Sequence, residues 1–163
     1  MAVLLDRYRI KLVALLNNLL NKAMIEVMES ALQKAAGEGM DEFIQVFTDK
    51  YKEVIGGELT AETMSLLTGE QHSLLAYQIF RDEIMVGGFC QLIQNGYGGY
   101  IFDNPFAKVM RSWGADELSK LVYKAKKIYD VNRKDLEKER TDDEFMAMYE
   151  QYEAFGELEE AYL

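Results

Sequence analysis

Two adjacent glycines, Gly87 and Gly88, stand in the middle of a stretch from Thr68 to Tyr100 that otherwise reads as one helix. A glycine inside a helix costs roughly 1 kcal/mol relative to alanine. A chain that keeps two together must recover that loss from something that needs the missing Cβ. The stretch opens with Thr68-Gly-Glu-Gln71, a capping box in which hydroxyl and amide satisfy each other's free backbone donors. It closes at Asn95-Gly96, residue types that tolerate the left-handed conformation of a helix end. Leu75, Ile79 and Ile84 mark its apolar side. The rest of the chain has to be arranged around a long helix weakened at one point.

Elsewhere the pattern is also helical. Pro105 is the one proline in 163 residues, and the segments between glycines carry three- and four-residue apolar spacing. The expected class is all-α, a single-domain bundle of about six to eight helices around the Gly-Gly helix. Residues 3–35 contain neither Gly nor Pro, with Leu12, Leu16, Leu19, Ala23, Val27 and Ala31 in one stripe. One helix of that length would measure roughly 45–50 Å, so it either breaks near Asn17-Asn18 or projects onto another copy. Asp41 reads as the cap of a helix bearing Phe43, Phe47, Tyr51 and Val54 and ended by Gly56-Gly57, and Thr60 as the cap of a short helix through Leu67. Tyr97 to Phe102 reads as an aromatic loop. Pro105 starts a helix that Trp113-Gly114 ends, and Asp116 caps the next, with Leu118, Leu121, Val122, Ala125, Ile128 and Tyr129 buried. Thr141-Asp-Asp-Glu144 is a second capping box, opening a closing helix on which Gly156 is the expected break. The domain reading is an N-terminal helical segment over 1–36 and a helical domain over 37–163.

Composition narrows the function. Cys90 is the single cysteine, which excludes an internal disulfide. No run of about 18 apolar residues exists to span a membrane. The start, with Arg7, Arg9 and Lys11 ahead of LVALLNNLL, imitates a signal peptide without a small-x-small cleavage site, so the chain reads as cytoplasmic. The net charge of −10 is uneven: residues 106–134 sum to +5 and residues 135–163 to −9. Direct nucleic-acid binding is disfavoured, because neutralising phosphates requires an excess of Lys and Arg. The basic segment has a simpler use in pairing with the acidic tail.

Few residues have the arrangement that chemistry demands. Gly87, Gln91 and Asn95 fall at i, i+4 and i+8 on one helix face. Either the two amides hold the 97–102 loop, or Gly87, Gln91, Asn95 and Tyr97 line a small-ligand or enzymatic pocket. Asp82 and Glu83 are adjacent, point about 100° apart on a helix and do not converge for acid–base work. His72 lacks a second ligand at metal spacing, and Gly96 to Gly99 lacks the Lys-Ser/Thr of a phosphate loop. No catalytic, metal or cofactor residue is assigned. In the tail, Glu150, Glu153, Glu157 and Glu160 follow one stripe at i, i+3, i+7 and i+10. On a helix such neighbours are roughly 5–6 Å apart, comparable with the charge spacing of about 3.4 Å per DNA strand. The alternative is an ordinary solvated face.

Taken together, L-T-G-E-Q, D-E-I-M-V-G-G-F-C-Q-L-I-Q-N-G-Y-G and W-G-A-D-E-L resemble the bacterial DNA-mimic-protein C-terminal domain family. Gly87, Gly88, Phe89, Gln91, Asn95 and Gly98 match its motif, and Val86 stands where the family has asparagine. The resemblance runs from about Gly39 to Phe155 and is strongest over 68–118; relatives are expected to carry a further helix beyond Leu163. It implies a non-enzymatic helical protein without cofactor, able to dimerise, that engages a protein partner such as a basic DNA-binding protein as a decoy for DNA. The shared motif itself reads as structural.

Overall fold

The computed structural model of the chain describes residues 25–162. Among them the fold is all-α, with nine helices and no strand. They form two compact units that divide between Leu75 and Ala76, inside the Gly-Gly helix.

In the first unit α1 (Glu29–Glu38) packs on α2 (Met40–Ile55), followed by the one-turn α3 (Ala61–Met64). Most of the segment read as helical over 3–35, whether broken near Asn17-Asn18 or projecting onto another copy, lies outside the described residues. Within them α1 begins at Glu29, after an extended Met28. Asp41 is not the cap of α2 but lies in its first turn, because Gly39 takes the cap position. Thr60 does cap α3, sharing a reciprocal box with Thr63. The helix stops at Met64, short of the expected Leu67, and the Met64 carbonyl meets His72 Nε2 at 2.7 Å. Ala35, Tyr51, Ile55, Leu67 and Leu75 are this unit's buried apolar residues.

The central helix α4 (Gly69–Gln94) starts at the expected box: Thr68 N–H donates to Gln71 Oε1 (2.8 Å), and Gln71 N–H to Thr68 Oγ1 (3.2 Å). It ends at Asn95-Gly96, where the Gly96 N–H reaches the Ile93 carbonyl and the Tyr97 N–H reaches Leu92. These paired bonds cap the last carbonyls as a Schellman motif does. The second unit then adds α5 (Gly98–Phe102), α6 (Phe106–Ser112), α7 (Asp116–Leu136), α8 (Asp142–Gln151) and α9 (Ala154–Glu160). The aromatic loop expected over 97–102 is instead the single turn α5, which packs on α7. Pro105 and Asp116 each sit one residue from their expected places, Pro105 at the cap of α6 and Asp116 as the first residue of α7.

Phe89 centres the core of this unit. Its ring lies 5.1 Å from Phe155, 5.8 Å from Phe80 and 6.3 Å from Phe102, and Phe102 continues to Tyr129 at 4.7 Å. All five are buried. Such ring pairs contribute about 0.5–1.5 kcal/mol each beyond the area they bury. Of the expected α7 stripe, Leu121, Val122, Ala125 and Tyr129 are buried and Leu118 and Ile128 half-buried, with Lys120, Lys124 and Lys127 outside. The closing helix breaks at Tyr152 (φ −115°, ψ 43°), not at Gly156. Tyr152 is held there by its hydroxyl, which donates to Asp135 Oδ2 at 2.5 Å, and by its ring against Phe155.

Candidate interaction surface

The Gly-Gly pair is a kink with both of its freed backbone groups recaptured. Gly88 adopts φ 70° and ψ −164°, a region that essentially only glycine occupies. The break leaves the Phe89 N–H without a helical acceptor, and Glu159 of α9 supplies one through Oε1 at 2.7 Å. On the other side the Tyr149 hydroxyl donates to the Gly87 carbonyl at 2.8 Å. Burial raises the Tyr149 pKa, so the hydroxyl keeps the proton it donates. A Cβ on Gly88 would lie 2.5 Å from Glu159 Cδ and 2.7 Å from its Oε2. The glycines therefore admit a close neighbour, a side chain arriving from 70 residues downstream.

The amides do something other than expected. Gln91 Nε2 and Asn95 Nδ2 both donate to Glu83 Oε2, each at 2.9 Å. They hold a carboxylate from the preceding half of α4, not the 97–102 segment. The reason is the kink: Gln91 folds back over Gly87, where a Cβ would lie 2.6 Å from its Cδ. That segment is fixed from elsewhere. Gly98 lies under the Tyr129 ring, which a Cβ would meet at 2.8 Å, and Asn104 Nδ2 donates to the Tyr100 carbonyl at 3.0 Å. Phe89 is in the core. The Gln91 amide and the Glu159 carboxylate occupy the space beside Gly87 and Gly88. A groove of about 300 Å³ lies elsewhere in this unit, lined by Leu118, Lys120, Leu121, Lys124, Leu158 and Tyr162.

Candidate reactive groups are quiet. Cys90 is buried, and burial pushes its thiol up to about 12, with the Glu159 carboxylate adding and Arg140 opposing. A thiol so raised is a poor nucleophile. Among the described residues no cluster of His, Cys, Asp and Glu is placed to hold a metal ion. No helix among them is long and apolar enough to cross a membrane.

Charge is where the surface is distinctive. Among the described residues the cations of α7 reach the tail over 135–163 at one place, where Arg133 pairs with Glu137. Lys120 meets Glu117 at 2.6 Å and Lys126 meets Asp130 at 2.9 Å on the same helix, while Arg133 bridges Asp103 at 2.8 Å and Glu137 at 3.2 Å. Apart from Arg133 with Asp103, 30 residues apart, these pairs are local, as is Arg140 with Asp135. Glu139, Asp142, Asp143, Glu150, Glu153, Glu157 and Glu160 are left exposed with no cation within pairing distance among the described residues. Because α8 and α9 are separate helices, Glu150 stands on the first, Glu153 at the turn, and Glu157 and Glu160 on the second.

Three participants escape sequence reasoning: Glu83 as the amides' acceptor, Tyr149 and Glu159. The second and third act across 62 and 70 residues, a separation that leaves no local pattern. Only the glycine pair signals that some partner must exist. Residues 65–163 match the family described as DMP19-like protein. Among curated proteins, DNA mimic protein DMP19 of Neisseria meningitidis serogroup B (strain ATCC BAA-335 / MC58) is 41% identical over 76 residues, covering 47% of this chain and 46% of that relative. The match thus spans about half the length of the relative.

Proposed function

Because the chain belongs to the DMP19-like protein family, we propose that residues 37–163 form a non-enzymatic interaction domain that mimics DNA and occupies the basic surface of a DNA-binding protein. The observation that carries this reading is the set of seven exposed, uncompensated carboxylates from Glu139 to Glu160. Charges left without a local cation repel one another, and a protein keeps them cheaply only where solvent or a partner screens them. A basic groove that ordinarily grips phosphates presents the complementary field. The relative's name, DNA mimic protein, points the same way. Glu150, Glu153, Glu157 and Glu160 are the residues assigned to contact the partner, with no membrane, cofactor or nucleic acid bound directly. Such a partner works in the cytoplasm, and the chain is placed there with it. A homodimer fits this reading only through another face, since two acidic faces repel.

The kinked-helix motif supports the surface without joining it: Glu159 is the tail carboxylate spent on Phe89, and it fixes α9 beneath the exposed glutamates. The test is capture from a bacterial lysate on the full chain, with duplex DNA as competitor and salt as variable. A basic DNA-binding protein should be recovered, displaced by duplex, and lost steeply as ionic strength rises. Glu150→Gln combined with Glu153→Gln, Glu157→Gln and Glu160→Gln should weaken capture at low salt. Capture of no such protein, or capture indifferent to salt and duplex, overturns the proposal.

A further inference from the structure

The acidic tail bends at one place. Only Tyr152-Glu153 separates α8 from α9, and Tyr152 is the non-helical residue, with φ −115° and ψ 43°. No glycine or proline stands in that elbow to set its angle. Three side chains set it instead, by reaching other helices. On α8 the Tyr149 hydroxyl donates to the Gly87 carbonyl at 2.8 Å. At the elbow the Tyr152 hydroxyl donates to Asp135 Oδ2 of α7 at 2.5 Å, and Arg140 holds the same oxygen at 2.8 Å. On α9 Glu159 Oε1 accepts from the Phe89 N–H at 2.7 Å. The first and third grip α4 on either side of Gly88, so the kink ties both arms of the elbow to one point. Each of the three is buried or half-buried, and each is followed directly by an exposed glutamate: Glu150, Glu153 and Glu160.

We infer that Tyr149, Tyr152 and Glu159 are positioning residues of the acidic face. They hold α8 and α9 at one angle, so that Glu150, Glu153, Glu157 and Glu160 are presented in a preset arrangement, and the partner that this arrangement fits is a folded basic surface rather than a flexible basic tail. The inference rests on the acidic-face reading and narrows its partner. Repulsion among exposed glutamates favours any arrangement that spreads them, and the three bonds oppose it. Setting the angle before binding removes an ordering cost from the complex. Only a partner whose cations are themselves fixed gains from this, because a flexible polycation wraps to whatever arrangement it meets. The tyrosines carry no charge, so they act on the face only through where they hold its helices.

The test separates arrangement from charge. Tyr149→Phe with Tyr152→Phe removes two of the three bonds and leaves the net charge unchanged. On the full chain, spin labels at Met146→Cys in α8 and Ala161→Cys just beyond α9 report the elbow by pulsed electron paramagnetic resonance, with the buried Cys90 unlabelled. The parent should give one narrow distance distribution, and the double phenylalanine variant a broadened or shifted one. Asn104→Ala, which loses its bond to the Tyr100 carbonyl away from the elbow, controls for lost stability and should leave the distribution narrow. Binding is then compared, without labels, for decalysine by fluorescence anisotropy and for the basic DNA-binding protein recovered by lysate capture. Decalysine should bind the parent and the double variant equally, while affinity for the captured protein should fall about tenfold, the scale of ordering one or two side chains on binding. An unchanged distance distribution overturns the positioning role. A changed distribution with undiminished capture, or with decalysine weakened equally, overturns the folded partner. If the parent captures no basic protein, the acidic-face reading falls and takes the inference with it, whatever the distances show.

Discussion

Replacing Gly88 with alanine tests the kink most directly. Two costs are separable. The backbone at φ 70° and ψ −164° is strained for any L side chain, worth about 1–3 kcal/mol. The added Cβ would also lie 2.5 Å from Glu159 Cδ, against contacts of about 3.5–4.0 Å between non-bonded carbons. The glutamate is flexible and will swing away, but doing so abandons the Phe89 N–H. A hydrogen bond to a charged acceptor contributes about 1.5–3 kcal/mol. The sum is about 2.5–6 kcal/mol, which at 2–4 °C per kcal/mol lowers Tm by about 5–24 °C. Urea denaturation followed by far-UV circular dichroism reads this difference. Repeating it in a Glu159→Ala background separates the parts, because the strain persists while the lost cap has already been counted. Gly88→Ala should then cost about 1.5–3 kcal/mol less than it does alone. Equal costs in both backgrounds would show that Glu159 contributes nothing, and a cost below about 1 kcal/mol would refute the strain as well. Gly87→Ala is the internal control. Its backbone is helical and gains roughly 1 kcal/mol in helix propensity, but the new Cβ would lie 2.8 Å from Gln91 Cβ, and displacing Gln91 forfeits its bond to Glu83, so a net cost of about 1–2 kcal/mol is expected, without the left-handed strain of Gly88.

Other consequences are simpler to read. Tyr149→Phe removes the donor to the Gly87 carbonyl and should cost about 1–2 kcal/mol in the same denaturation assay. Native Cys90, its thiol pushed up to about 12, should resist iodoacetamide at pH 8 and react fully in urea; rapid native labelling would contradict its burial. The same raised value makes its contribution to stability complete below the thiol's ordinary range and lost as pH climbs toward 12. Asp135 has the opposite sign: the Tyr152 hydroxyl first, then Arg140 and Gln151, hold its carboxyl below the usual range. Its contribution is therefore present above about pH 4 and lost as pH falls further. Thermal melts of the parent and Asp135→Asn should differ at pH 7, and the difference should shrink as pH falls below about 4.

What could be read from the sequence was local. The boxes at Thr68 and Thr141 each complete themselves within three residues, and the ends at Gly56, Asn95-Gly96 and Gly114 need only the glycine that follows. The class and the buried stripe of α7 follow from spacing alone. The arrangement around the kink was legible only as a need. Gly87-Gly88 announced a close neighbour, yet nothing near Glu159 distinguishes it from Glu157 or Glu160, because its role depends on the chain turning at Tyr152. That turn has neither glycine nor proline to signal it. The acidic stripe was read for one straight helix, and the break at Tyr152 distributes it over two. The amides were misdirected for a related reason: their acceptor, Glu83, lies before the kink, where an unbroken helix would hold it two turns away.

The single carboxylate over Gly88 also sets limits for anyone redesigning the tail. Seven of its acids could be exchanged for lysine, inverting the sign of the surface while the scaffold beneath stays the same. Glu159 could not join that exchange, for an ammonium aimed at the Phe89 N–H would meet a donor with a donor. Glu144, which closes the box at Thr141, and Asp135, which receives Tyr152, would also have to be spared. A recharged chain that kept these three would separate what the sequence of the tail says to a partner from what it says to its own helices.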